Sequence, residues 1–197
     1  MMRSKIIQDD ALLQIYVSHY LKLAHNHVDI NYLKQAKVRI FYQTVPEDML
    51  AGFCINSSVP FRTFLPISDE QLRKLRINNN INNDQLHEIT CIWIDRNIRL
   101  NFWGGYRYYF TLLWDVLRLK SGTLIIGTHE KKLKDMYSPG FPQVIFYDNI
   151  FVATKTVFAD FWIMKGSKYT FLTSLVSAAV SRILGRVKKW YRQQHSQ

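Results

Sequence analysis

Two adjacent glycines, Gly104 and Gly105, stand ahead of a helical pattern and among three arginines, Arg96, Arg99 and Arg107. Glycine lets backbone N–H groups come close to a ligand, and the unpaired N–H groups at a helix amino end attract anions. The stretch RNIRLNFWGGYR (Arg96 to Arg107) therefore reads as an anion-binding turn, with Tyr106 beside the glycines. It lies between an apolar strand and a helix, and a second apolar strand follows, the layout that seats a pyrophosphate on a helix amino end. Around it stand titratable groups: His87 and Glu88 open the first strand, Asp95 closes it, and His129 ends the second. Successive strand residues face opposite sides, so His87 and Glu88 cannot share one cleft. Motifs of other chemistries are missing: no Gly-x-Ser-x-Gly elbow, no His-Glu-x-x-His and no Walker loop occurs. His19, His25 and His27 share no i, i+4 face, and no metal is expected.

The elements that must position these groups follow from periodicity. Residues 9–27 space their apolar side chains as a helix, with Asp9 and Asp10 at its amino end. KVRIFYQ (37–43) and LAGFCIN (50–56) read as a hairpin turned by Pro-Glu-Asp. SDEQLRKLRI (68–77) is a short helix with Ser68 as N-cap and Gln71 three residues on. HEITCIWID (87–95) is a buried strand, YYFTLLWDVLRLK (108–120) a helix, and TLIIGTH (123–129) another strand. A lysine-rich helix, MYSPGF and the strand QVIFY come next, with Asp148-Asn149 offering a turn into a strand over 156–165. Tyr169 to Tyr191 reads as a long amphipathic helix, with Arg182, Arg186 and Lys189 off its apolar stripe. The expected fold class is α/β: a mixed sheet, antiparallel at first, with one parallel crossover in the middle.

Bulk properties narrow the class. A chain of 197 residues that is 48% hydrophobic and 14% aromatic is a folded one, and its apolar runs fall far short of about 20 residues. No basic stretch followed by an apolar run opens it, so no signal peptide is expected. Cys54 and Cys91 read as buried free thiols in a cytoplasmic protein. The net charge of +11 is unevenly spread: residues 1–95 carry ten basic and ten acidic side chains, 96–164 nine and five, and 165–197 seven and none. Such a skew suits a polyanionic partner, whether a phosphorylated cofactor, an acidic protein or an anionic membrane surface; nucleic acid ranks last, for want of a recognisable module.

The order of elements over roughly residues 9–164 resembles the GNAT superfamily of acyl-CoA-dependent N-acyltransferases. LAGFCINS looks like that family's third strand, HEITCIWID like its fourth, and MYSPGF like the Leu-Tyr-x-x-x-Gly-Phe end of its fourth helix, one residue shorter. The family turn reads Arg/Gln-x-x-Gly-x-Gly/Ala. Here Asn101-Phe-Trp-Gly104-Gly105-Tyr106 puts Asn and Tyr in the outer places, a degenerate pyrophosphate-binding motif.

The resemblance implies a GNAT-like domain over 1–165 and a basic amphipathic helical extension over 166–197, packed on or beside it. It implies acyl transfer from acyl-CoA, as acetyl-CoA or a longer chain, or from an acyl-carrier protein, to a small-molecule or peptide amine. The thioester carbonyl would meet backbone N–H groups near Ile92, Trp93 and Ile94. The diphosphate would lie on Gly104, Gly105 and Tyr106, with Arg96, Arg99 and Arg107 supplying charge. Glu88 is the preferred base, His129 the runner-up, and Tyr137 of MYSPGF the acid for the leaving thiolate. Two readings of other classes compete: a non-catalytic GNAT-like binding or adaptor protein, and a peripheral membrane protein docking through its basic carboxyl-terminal helix.

Overall fold

The computed structural model describes residues 2–95, 102–152 and 156–177; of residues 102–104 it describes the backbone alone. The element order is β1 (Arg3–Ile7), α1 (Asp10–Ala24), α2 (Ile30–Gln35), β2 (Lys37–Tyr42), β3 (Met49–Asn56), α3 (Asp69–Asn79), β4 (Leu86–Ile94), α4 (Phe102–Leu117), β5 (Thr123–Thr128), α5 (Lys131–Tyr137), β6 (Gln143–Val152) and β7 (Val157–Ser167). A further helix, α6, begins at residue 168 and is described to 177. The strands form one seven-stranded sheet in the order β1-β2-β3-β4-β5-β7-β6. Every pairing is antiparallel except β4 with β5. The α/β class with a mixed central sheet and flanking helices is as expected.

Local chemistry explains most boundaries. Asp9 caps α1 by accepting from the Leu12 N–H, and Ser68 and Gln71 form a reciprocal capping box on α3. Leu12, Leu13, Tyr16 and Tyr20 form the buried stripe of α1. With α2, the 62–64 turn and α3, it covers one face of the sheet. The opposite face packs Tyr108, Leu112 and Val116 of α4 and Phe171 of α6 on Phe41, Phe53, Ile89, Leu124 and Met164. Asp115 of α4 is 1% exposed and is clasped by Lys37 Nζ at 2.7 Å and by Arg39 of β2. Lys168 donates to the Leu117 and Leu119 carbonyls, a cation at the carboxyl end of α4 where the helix dipole favours one. Gly166 permits a close crossing: a Cβ there would lie 2.2 Å from the Gly140 carbonyl oxygen.

Four features depart from the sequence reading. β1 and α2 were not anticipated; RSKII is short and charged, and INYLKQ is too short for periodicity to register. α4 begins at Phe102, so Gly104 and Gly105 lie in its first turns and not in the loop before it. The large apolar side chains on either side extend the helical pattern back across them. Asp148-Asn149 is no turn but the middle of β6, facing Phe161 and Asp160. At that position Asp148 accepts from Gln71 and Asn149 donates to Asp160, so polar side chains are satisfied within a strand. β7 continues through 166 to Ser167 before α6 starts.

Candidate functional site

Strand β4 changes character halfway along. It pairs with β5 only from Leu86 to Glu88, against Thr123 to Ile125. Beyond that the two parallel strands diverge, and β5 continues to Thr128 on its other neighbour, β7. On the β3 side, Cys54 faces Thr90 and Gly52 faces Trp93, so Cys91 and Ile92 together oppose Phe53. This is a β-bulge, and Cys91 adopts a left-handed φ of 51°. Such a backbone costs a non-glycine residue roughly 1–2 kcal/mol. The Tyr16 hydroxyl holds it by donating to the Cys91 carbonyl at 2.7 Å. Gly52 makes room for this arrangement, since a Cβ there would lie 2.5 Å from the Tyr16 ring. The bulge shifts the alternation of side chains: Ile89, Ile92 and Ile94 face α4, whereas Cys91 and Trp93 face α1.

The end of this pairing opens the sheet between β4 and β5, where among the described residues the β4 backbone has no strand partner. The amino end of α4 stands at the same end of the sheet, because α4 follows β4 through residues 95–101. Among the described residues, a Cβ at Gly105 would meet nothing within 4 Å. A helix amino end beside an opened strand pair suits a ligand with a diphosphate and an extended arm. Gly105, Tyr106 and Arg107 are helical and half-buried there. Arg96 and Arg99 lie outside the described residues, as do the side chains of Phe102 and Trp103.

The titratable candidates separate. Glu88 is fully buried, below the opening. One carboxylate oxygen accepts from the Thr63 N–H, and the other from the Tyr32 hydroxyl at 2.6 Å and the Arg62 N–H at 2.9 Å. This carboxylate thus organises the 62–64 turn, and burial together with its charge drives the Tyr32 hydroxyl far above its ordinary pKa. Arg62 in turn donates to Tyr20, Asn26 and the His27 carbonyl. His87 points to the opposite face, as alternation requires. Its Nδ1 lies 2.7 Å from Ser57 Oγ and its Nε2 3.1 Å from the Lys120 carbonyl. A carbonyl only accepts, so Nε2 carries the proton and Nδ1 accepts from Ser57. Burial lowers the His87 pKa.

His129 follows β5 at the open end, its Nε2 3.8 Å from Glu130 Oε1. Tyr137 ends α5 and packs on the α4 face against the cluster containing Tyr108 and Tyr109. Burial first, then Tyr109 and Glu130, push its pKa up to about 12. Three described aromatic side chains of this region lie in different settings. Tyr108 is core on the α4 face, Trp93 is buried on the α1 face, and Trp114 is exposed with Arg118 over its ring.

Sequence reasoning missed the α1 contributions. Tyr16 and Tyr20 read only as apolar positions of a stripe; their hydroxyls at i and i+4 were the available signal. His19 stacks on Trp93 with ring centroids 5.4 Å apart and planes 8° from parallel. That contact joins residues far apart in the chain and leaves no local trace.

No family model and no curated protein matches the sequence. Solved structures do match in fold. FeeM, an N-acyl amino acid synthase from uncultured soil microbes, superposes with a TM-score of 0.57 at 14% identity, over 88% of this chain and 96% of its own. The AHL synthase LasI gives 0.53 at 13% identity over 83% and 90%. The yncA protein of Salmonella typhimurium, solved with its cofactor acetyl-CoA, gives 0.52 at 14% identity over 85% and 94%. With its bulged fourth strand, single parallel crossover and diverging strand pair, the chain has the fold of the GNAT superfamily of N-acyltransferases.

Proposed function

We propose that the chain is an N-acyltransferase that moves an acyl group from a CoA or acyl-carrier-protein thioester to an amine. The observation that carries this reading is the bulge at Cys91, set where β4 leaves β5 and beside the amino end of α4. A thioester carbonyl needs donors aimed at the oxygen that turns negative as the amine attacks. The backbone of Ile92 to Ile94 borders the opening and supplies them. The first turns of α4, with Gly104, Gly105, Tyr106 and Arg107, take the diphosphate; Arg96 and Arg99 add charge. Tyr137, on the α4 face and holding its proton at neutral pH, protonates the departing thiolate. Glu88 supports the site by fixing the 62–64 turn. His129, at the open end of β5, borders the acceptor entrance.

An amino-acid acceptor, as the name of the N-acyl amino acid synthase prints it, and an acyl chain longer than acetyl complete the reading. Isothermal calorimetry against CoA, acetyl-CoA and dodecanoyl-CoA tests the donor site. Binding with a preference for the longest chain is the expected result. If none of the three binds, and acyl-carrier protein does not either, the reading is overturned in favour of a non-catalytic adaptor. Gly105→Tyr fills the open space at the helix end and is expected to abolish donor binding with the thermal transition unchanged.

A further inference from the structure

We propose that His19 of α1 is the general base that takes the proton from the amine acceptor. This rests on the acyl-transfer reading and adds a catalytic residue to it. The first observation is position. Trp93 stands one residue beyond the bulge pair Cys91–Ile92, on the face opposite α4, and His19 lies flat against its ring. Tyr137 packs on the α4 face. A thioester threaded through the opening would thus meet its acid on one face of the sheet and its base on the other. The second observation is availability. Both oxygens of Glu88 and both nitrogens of His87 are held by protein partners. His19 is half-buried, and among the described residues no hydrogen bond engages its ring nitrogens.

The third observation is electrostatic setting. The charged groups that act on His19 are Lys22 on α1, Asp95 at the end of β4 and Asp48 before β3. Burial, then Lys22, lower the imidazole pKa below its ordinary value near 6.5, and the two carboxylates oppose this. The ring is therefore neutral at pH 7 and can accept a proton, while Asp48 and Asp95 favour an approaching ammonium. In the reaction the ammonium gives one proton to His19 and becomes an amine. Its nitrogen forms a bond to the thioester carbon, and the C–S bond breaks. The thiolate takes the Tyr137 proton, and Tyr137 regains one from the nitrogen of the adduct. Amide and thiol are the products, and one proton leaves to solvent through His19.

The test follows thiol release from dodecanoyl-CoA, with an equimolar mixture of the common amino acids other than cysteine as the amine. Wild type, His19→Gln and His19→Ala are compared from about pH 5 to about pH 9. His19→Gln is expected to lower kcat by about 100-fold, to leave the donor KM within about twofold, and to lose the acidic limb of the kcat/KM profile. Added imidazole is expected to restore part of the rate to His19→Ala, which a structural role would not allow. An acidic limb that persists in His19→Gln, or an alanine variant indifferent to imidazole, overturns the assignment and leaves acyl transfer intact. A wild-type chain that releases no thiol overturns acyl transfer from CoA itself, and this inference with it.

Discussion

The two halves of β4 are built for different tasks. From Leu86 to Thr90 the strand is regular, paired with β5 over Leu86 to Glu88 and with β3 from Glu88 on, and its polar side chains, His87 and Glu88, are bound to the structure around them. From Cys91 to Ile94 it is bulged, it has left β5, and it carries no ionisable side chain except the buried thiol of Cys91. The titratable residues that draw attention in the sequence lie in the half that holds the fold together. In the proposed reaction the bulged half offers backbone and borrows side chains from α1 and α5. In this sheet a buried charge marks a fastening, and a missing strand partner marks the proposed site.

The largest effect should come from breaking the fastened half. Glu88→Ala leaves the Arg62 and Thr63 N–H groups and the Tyr32 hydroxyl without their acceptor, at about 1–3 kcal/mol for each buried group. A loss of several kcal/mol in a urea titration is expected; stability close to wild type with activity alone lost would make Glu88 a catalytic group. Gly52→Ala sets a methyl against the Tyr16 ring in the bulged half, at about 1–3 kcal/mol by thermal melting. Tyr16→Phe removes the hydroxyl that holds the Cys91 carbonyl, at about 1–2 kcal/mol, and should lower kcat more than it raises the donor KM.

His87 gives a smaller, pH-dependent signature. Its folded pKa is depressed, so the unfolded chain binds the proton more readily in acid. The associated stability is present above about pH 6.5 and is lost as pH falls from there through the folded value. His87→Gln should flatten that part of the stability profile, read by melts across the range. The smallest change is expected at Trp114→Ala, on the exposed side of α4, within about 0.5 kcal/mol.

Much of this was legible in the sequence. The capping box at Ser68, the apolar strand at 86–94 and the parallel crossover are local patterns, and each appears within a few residues of its expected place. The start of α4 was misread because glycine pairs signal loops, whereas Phe102, Trp103 and Tyr106 continue the helix around them. The bulge left no sign at all: Cys91 is an ordinary strand residue by composition, and its left-handed backbone is imposed by Gly52 across the strand and Tyr16 above it. For the same reason the settings of Glu88, preferred as base from the sequence, and of His19 left no local trace. Whether a side chain is saturated or available depends on Tyr32, Arg62, Thr63 and Trp93, all distant in sequence.

The cysteines have a practical consequence for the bench. Cys54 is fully buried and Cys91 is 2% exposed, and burial holds the Cys54 thiol well above its ordinary pKa. A chromogenic disulfide reagent added to the folded protein therefore stays colourless until the sheet opens. In the assay of the proposed reaction, colour from released CoA can then be read against a dark background. When substrate is omitted, the slow development of two thiols per chain becomes a clock for the parting of β3 from β4.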